Sequence, residues 1–162
     1  MGLGIDSSRS APERVRAALA AAGIETPILS FEVSTRTAAE AAEAVRADVG
    51  QIVKSLMFTA GDEPVLALVS GANRLDPGKL AASVGHPIGK ADASFVRQAS
   101  GYAIGGVPPL GFPAPIPTYI DRDLLRYELV WAAAGTPHHV FSIPPHDLVR
   151  LTKGIVADLR AL

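Results

Sequence analysis

Cysteine is absent from the 162 residues, which excludes disulfide frameworks, thiolate zinc sites and thiol nucleophiles. Long apolar runs are missing too, so nothing in the sequence reaches the length needed to cross a bilayer, and no membrane association is expected. Neither sign of charge dominates. The formal net charge is −1, whereas proteins that coat a nucleic-acid duplex carry a strong basic excess. Any nucleic acid met by this chain is therefore expected to be gripped at an end or over a small patch. The opening segment, Met1–Arg16, has no basic stretch leading into an apolar core. No signal peptide is expected, and the cytoplasm is the default location. Apolar residues, by contrast, make up 48% of the chain, enough to fill one core in a domain of this length. Residues 1–9 read as a flexible start and 10–162 as a single domain.

Nucleotide and metal signatures are also lacking. Gly101–Gly106 reads G-x-x-x-G-G rather than G-x-G-x-x-G, and no GK[ST] follows, so phosphate-loop and dinucleotide folds are poor fits. The four histidines, His86, His138, His139 and His146, include no pair at the spacing of a helical metal site. No metal and no cofactor is expected.

The local signals that are present alternate irregularly. Ser10 and Glu13 have capping-box spacing, and Gly23 suits the end of the helix they open. A short strand falls within Thr26–Val33. Thr37 and Glu40 open a second, alanine-rich helix to about Ala47. Gly50–Ala60 and Val65–Ser70 flank a turn at Gly61–Pro64 and read as an antiparallel hairpin. Asp76 and Pro77 start a helix that ends near Gly85, and Asp92 starts another that stops at Gly101. Thr118–Asp121, Leu129–Ala134, His138–Ile143 and Ile155–Leu159 read as strands, with a helix after Pro144 and Pro145 running through Thr152. Asp121, Asp123 and Glu128, with Arg122 and Arg126, read as a solvated acidic and basic face. Hairpins mixed with short helices predict an α+β fold with a mixed or antiparallel sheet.

Two features carry chemistry. The first is Gly101–Pro117, with four glycines and five prolines in seventeen residues. Glycine permits positive φ and proline removes amide donors. The surviving N–H groups of such a loop point in set directions, as an oxyanion or phosphate site needs. A hydrophobic loop crossing the end of a sheet has the same composition. The second is Lys54. Strand alternation puts it on one face with Ile52, Leu56 and Phe58, opposite Val53, Ser55 and Met57. It either snorkels to water from an edge strand or lines a pocket where its charge meets an anionic or carbonyl-bearing ligand.

The segments Ser34–Leu56, STRTAAEAAEAVRADVGQIVKSL, and Gly101–Gly111, GYAIGGVPPLG, together resemble the YbaK/EbsC-type aminoacyl-tRNA deacylases. This family includes the editing domain associated with prolyl-tRNA synthetase. The resemblance runs from about Thr26 onward. It implies a mixed, largely antiparallel, partly barrel-like sheet flanked by short helices. It also implies hydrolysis of the ester joining a wrong amino acid to the terminal adenosine of a tRNA. The partners it implies are the acceptor end of aminoacyl-tRNA and prolyl-tRNA synthetase. By position, Lys54 matches the family's essential lysine, and Gly105 to Pro109 match its glycine–three residues–proline loop. Phe31, Thr37 and Ser55 fall near positions that line the small amino-acid pocket. Apart from the resemblance, His138 either enters that pocket from a neighbouring strand or is solvated at a loop end. Pro108 departs from the pattern, standing where relatives often have serine.

An aminoacyl ester is an activated acyl group that a positioned water can attack. The resemblance implies that the base is the substrate's own ribose hydroxyl or side chain. The tetrahedral oxyanion needs donors, and Gly106 and Val107 are the candidates, since Pro108 and Pro109 have no N–H. One such donor is worth about 3 kcal/mol. Lys54 is expected to hold the terminal phosphate or the ester oxygens. A small pocket selects by exclusion, and alanine, cysteine, serine and threonine all fit that description. The rival readings are a non-catalytic module that binds a tRNA end or a synthetase, and a hydrolase of other acyl esters.

Overall fold

The computed structural model describes residues 9–162. The flexible start expected over residues 1–9 lies, apart from Arg9, outside the described residues.

The helices begin at their caps. Helix α1 (Ala11–Ala21) opens where Ser10 Oγ accepts the Glu13 amide at 3.3 Å, and it buries Val15 and Leu19. Helix α2 (Ala38–Val45) has the full reciprocal box. Thr37 Oγ1 accepts the Glu40 amide and the Glu40 carboxylate accepts the Thr37 amide, both at 3.1 Å. It ends at Arg46 in the left-handed region, slightly short of the expected Ala47. Helices α3 (Pro77–Val84) and α4 (Ala93–Ser100) start at Asp76 and Asp92 and stop at Gly85 and Gly101. Both glycines have positive φ, a conformation a β-carbon disfavours. Helix α5 (Pro145–Thr152) follows Pro144.

Eight strands form one sheet: β1 (Leu29–Ser30), β2 (Ile52–Ala60), β3 (Glu63–Ser70), β4 (Ile88–Lys90), β5 (Thr118–Asp121), β6 (Val130–Ala133), β7 (His139–Ile143) and β8 (Ile155–Ala157). Their order is β1-β7-β6-β2-β3-β5-β8, with β4 also on β2. The β2–β3 hairpin keeps one register from Val53↔Ser70 to Ala60↔Glu63. The β6–β7, β1–β7 and β2–β4 pairs are also antiparallel, while β2–β6, β3–β5 and β5–β8 are parallel. The path is open between β1 and β8. The architecture is thus mixed α+β, with a sheet that does not close into a barrel.

Both faces of the sheet are covered. On one, Val53, Met57, Leu66, Leu68, Ile120 and Phe141 pack with Val15 and Leu19 of α1, Val96 of α4 and Leu148 of α5. On the other, Val65, Ala67, Val69 and Tyr119 pack with Leu80 of α3 and with Leu159. A third cluster joins Ala41 and Ala42 of α2 to Ile52 and Trp131.

Two local expectations are corrected, and one strand is added. The strand within Thr26–Val33 shrinks to Leu29–Ser30, since Pro27 lacks a ladder amide and the chain then leaves the sheet to tie Phe31 and Thr35 to His138 and Pro137. Strand β4 went unread because its three residues are too short to show alternation. Asp121 is not on a solvated face: it is completely buried at the end of β5.

Candidate active site

The site grows out of a break in the sheet. The amide of Gly71 donates to the Ile52 carbonyl at 2.7 Å, so the even-numbered residues of β2 turn their polar backbone toward β3. The odd-numbered ones face the opposite edge. There β6 pairs only with Ile52 and Val53, and β4 only with Phe58 to Ala60. Between them, the backbone of Ser55 meets no neighbouring strand. A cavity of about 600 Å³ occupies this opening.

Its walls come from distant parts of the chain. Lys54, Ser55 and Met57 supply the β2 edge, and Ala132, Ala133 and Trp131 the β6 side. Thr35, Arg36 and Thr37 approach from the loop before α2, Lys90 from β4, and Ile104, Gly105 and Val107 from the glycine–proline loop. Lys54 and the glycine bend therefore share one cavity, although they belong to different faces. Lys54 lies on the Ile52 and Leu56 face, while Val107 joins the core cluster of Val53 and Met57.

The Lys54 ammonium is held rather than free: it donates to the carbonyl of Asn73. Burial pulls its pKa below the ordinary lysine value, and the nearby Asp121 carboxylate partly offsets this. Beside it, the Ser55 hydroxyl is buried with no hydrogen-bond partner. A buried polar group in that state calls for a partner from outside the protein. Thr37 lines the cavity too, but its hydroxyl is engaged in capping α2.

The glycine–proline loop divides its labour. Gly105 has φ +97°, and a β-carbon there would stand 3.0 Å from Arg36 Cγ, so the Arg36 stem lies across it. Gly106 faces away from the cavity. Its N–H donates to the Ala103 carbonyl and its own carbonyl accepts the Gly135 amide, both at 3.0 Å. A β-carbon on Gly106 would meet Thr136 Cα at 2.6 Å. The expectation that Gly106 supplies an oxyanion donor is therefore corrected: that amide is spent inside the loop. Among the described residues the amides of Gly105 and Val107 have no acceptor, and both residues line the cavity.

Three expected pocket residues stand outside the cavity lining. Phe31 and His138 bind one another: the Phe31 amide donates to the His138 carbonyl at 2.9 Å, and His138 Nδ1 lies 3.2 Å from the carbonyls of Phe31 and Val33. His138 thus pins the loop before α2 instead of entering the pocket. Pro109 is buried behind Val107 in sequence and stiffens the bend. Sequence reasoning missed Arg36, Lys90, Trp131, Asn73 and Asp121. One signal was readable for the last. Asp121 interrupts an apolar strand as Lys54 does, and two opposite charges in buried strands suggest a pair. Among the described residues, no group of three or more His, Asp or Glu side chains is placed to hold a metal ion.

The profile of the aminoacyl-tRNA editing domain matches residues 32–151, a span that contains the whole cavity. The chain belongs to the aminoacyl-tRNA editing domain family. A crystal structure provisionally described as a trans-editing enzyme for prolyl-tRNA synthetase superposes with a TM-score of 0.91 at 48% identity, covering 95% of this chain and 99% of that one. The protein provisionally named Cys-tRNA(Pro)/Cys-tRNA(Cys) deacylase EbsC, from Enterococcus faecalis, is 29% identical over 76% of each chain. The proline–tRNA ligase of Maridesulfovibrio salexigens is 34% identical over 61% of this chain but only 17% of its own length. The editing-domain match thus recurs both in small proteins and as a fraction of a synthetase-sized chain.

Proposed function

We propose that this editing-domain protein is a hydrolase that removes a small amino acid from mischarged tRNA. Water attacks the ester carbonyl, the bond to the ribose oxygen breaks, and that oxygen leaves with a proton. The observation that carries this reading is that one cavity is lined by Lys54, by Ser55 with its unpartnered hydroxyl, and by Gly105 and Val107, whose amides have no acceptor among the described residues. The amides suit the oxyanion, whose stabilisation dominates acyl transfer. Lys54 suits the ester oxygens or the terminal phosphate. Arg36 and Lys90 at the opening suit the phosphates that follow. In this reading residues 10–162 form one domain acting in the cytoplasm, with the acceptor end of tRNA as substrate and prolyl-tRNA synthetase as the partner whose errors it clears.

EbsC's name makes cysteinyl-tRNA(Pro) the first substrate to test, followed by the alanyl, seryl and threonyl species. Deacylation of one small-residue tRNA is expected, with Lys54→Ala slower by on the order of 100-fold or more. Lys54→Ala turning over at the wild-type rate would sink the assignment. Binding without turnover would mark a recognition module, and activity on free acyl esters alone a different hydrolase.

A further inference from the structure

We propose that Asp121 is a positioning residue for Lys54: its buried carboxylate fixes the turn whose carbonyl holds the lysine ammonium, and supplies the countercharge on the same face of the sheet. Lys54 is in register with Val69 on β3. The next parallel strand continues that row, because Leu68 pairs with Ile120, and so places Asp121 beside Val69. Lys54 and Asp121 therefore flank one valine on one face.

The carboxylate is fully committed. Oδ2 accepts the Ser70 amide at 3.1 Å and Asn73 Nδ2 at 2.8 Å, and Oδ1 accepts the Asp123 amide at 3.0 Å. All three donors are neutral. Asn73 is the link. Its side chain is clamped between Asp121 and Asp123, each at 2.8 Å, while its main-chain carbonyl takes the Lys54 ammonium. Fixing one end of Asn73 fixes the other. Asp123 is itself approached by Arg126 at 3.6 Å and Arg160 at 3.8 Å, so its charge is answered locally and Asp121 is left facing Lys54. Arg36 and Lys90 are the other cations lining the cavity. A fixed anion beside a half-buried lysine favours its charged form. The electrostatic coupling of Asp121 to Lys54 runs in that direction.

The kinetic part of this inference rests on the hydrolase reading above, and the decisive measurement does not. Competitive trace acetylation of the full chain across pH reports the titration of Lys54 without any tRNA. In Asp121→Asn the Lys54 midpoint is expected to fall by about one pH unit or more. On cysteinyl-tRNA(Pro), kcat is expected to fall about tenfold, with KM little changed and the alkaline limb of the rate profile shifted by the same amount. A folded Asp121→Asn protein whose Lys54 labels with the wild-type pH dependence overturns the proposal. Should wild type show the predicted titration but no deacylation, the hydrolase reading fails and the pairing stands. If Asp121→Asn does not fold, Asn73→Ala removes the clamp between the carboxylate and the carbonyl that holds Lys54; the Lys54 midpoint is expected to fall there too, and an unmoved midpoint overturns the proposal.

Discussion

The two glycines of the bend are constrained by different physics, and their alanine variants should differ. Gly105→Ala meets a positive φ, costing roughly 1–2 kcal/mol, while its steric neighbour is the flexible stem of Arg36, which can give way. Gly106→Ala meets main chain on both sides, Thr136 Cα at 2.6 Å and Gly135 C at 2.8 Å, so two loops must separate. Differential scanning calorimetry should find the lower Tm in Gly106→Ala; the reverse order would show that the bend is held by dihedral strain rather than by contact. The Lys54 charge makes a second expectation at this scale. Its pKa is depressed, so the ammonium is lost on the alkaline side sooner than from an ordinary lysine. Deacylation should therefore fall on an alkaline limb below the usual lysine value of 10.5, measured as kcat/KM against pH. Of these residues the sequence marked Lys54 and the bend. It could not show that Gly106 spends its amide on Ala103, because that hydrogen bond depends on how a short loop folds back on itself.

At the scale of elements, caps and alternation were legible and partners were not. The Thr37–Glu40 box lies in contiguous sequence, so its spacing announces α2. The Glu40 carboxyl is held below its ordinary value chiefly by the Thr37 amide. A depressed carboxylate contributes stability that is present above pH 4.5 and is lost as pH falls through the lowered folded-state value. The Tm difference between wild type and Glu40→Ala should thus be open at neutral pH and narrow in acid; a gap that persists at pH 2 would mean that the side chain acts by packing. The parallel pairings, by contrast, join segments as far apart as Ile52 and Trp131. Nothing local records such a match, so the break in the sheet could not be read in advance. Leu80 supports the face that carries Lys54. It is fully buried there with Val69, the partner of Lys54 on β3, and Leu80→Ala should cost about 2–5 kcal/mol in denaturant melts.

For the whole molecule, charge sets the manner of binding. The formal net charge is −1, and the cations at the cavity are Arg36, Lys54 and Lys90. Three cations on a single-stranded end release roughly two counterions, so a plot of log affinity against log salt should be no steeper than about −2. A slope near that of a duplex-coating protein would require a wide basic surface elsewhere on the molecule. The opening beside β2 has one more consequence. Bare amides and carbonyls along a strand invite a foreign segment to lie against them and start an aggregate. Arg36 and Lys90 stand at that entrance, and two copies brought together there would set like charges against each other. The guanidinium and ammonium that suit a phosphate chain thus also keep this protein from stitching itself to its own kind.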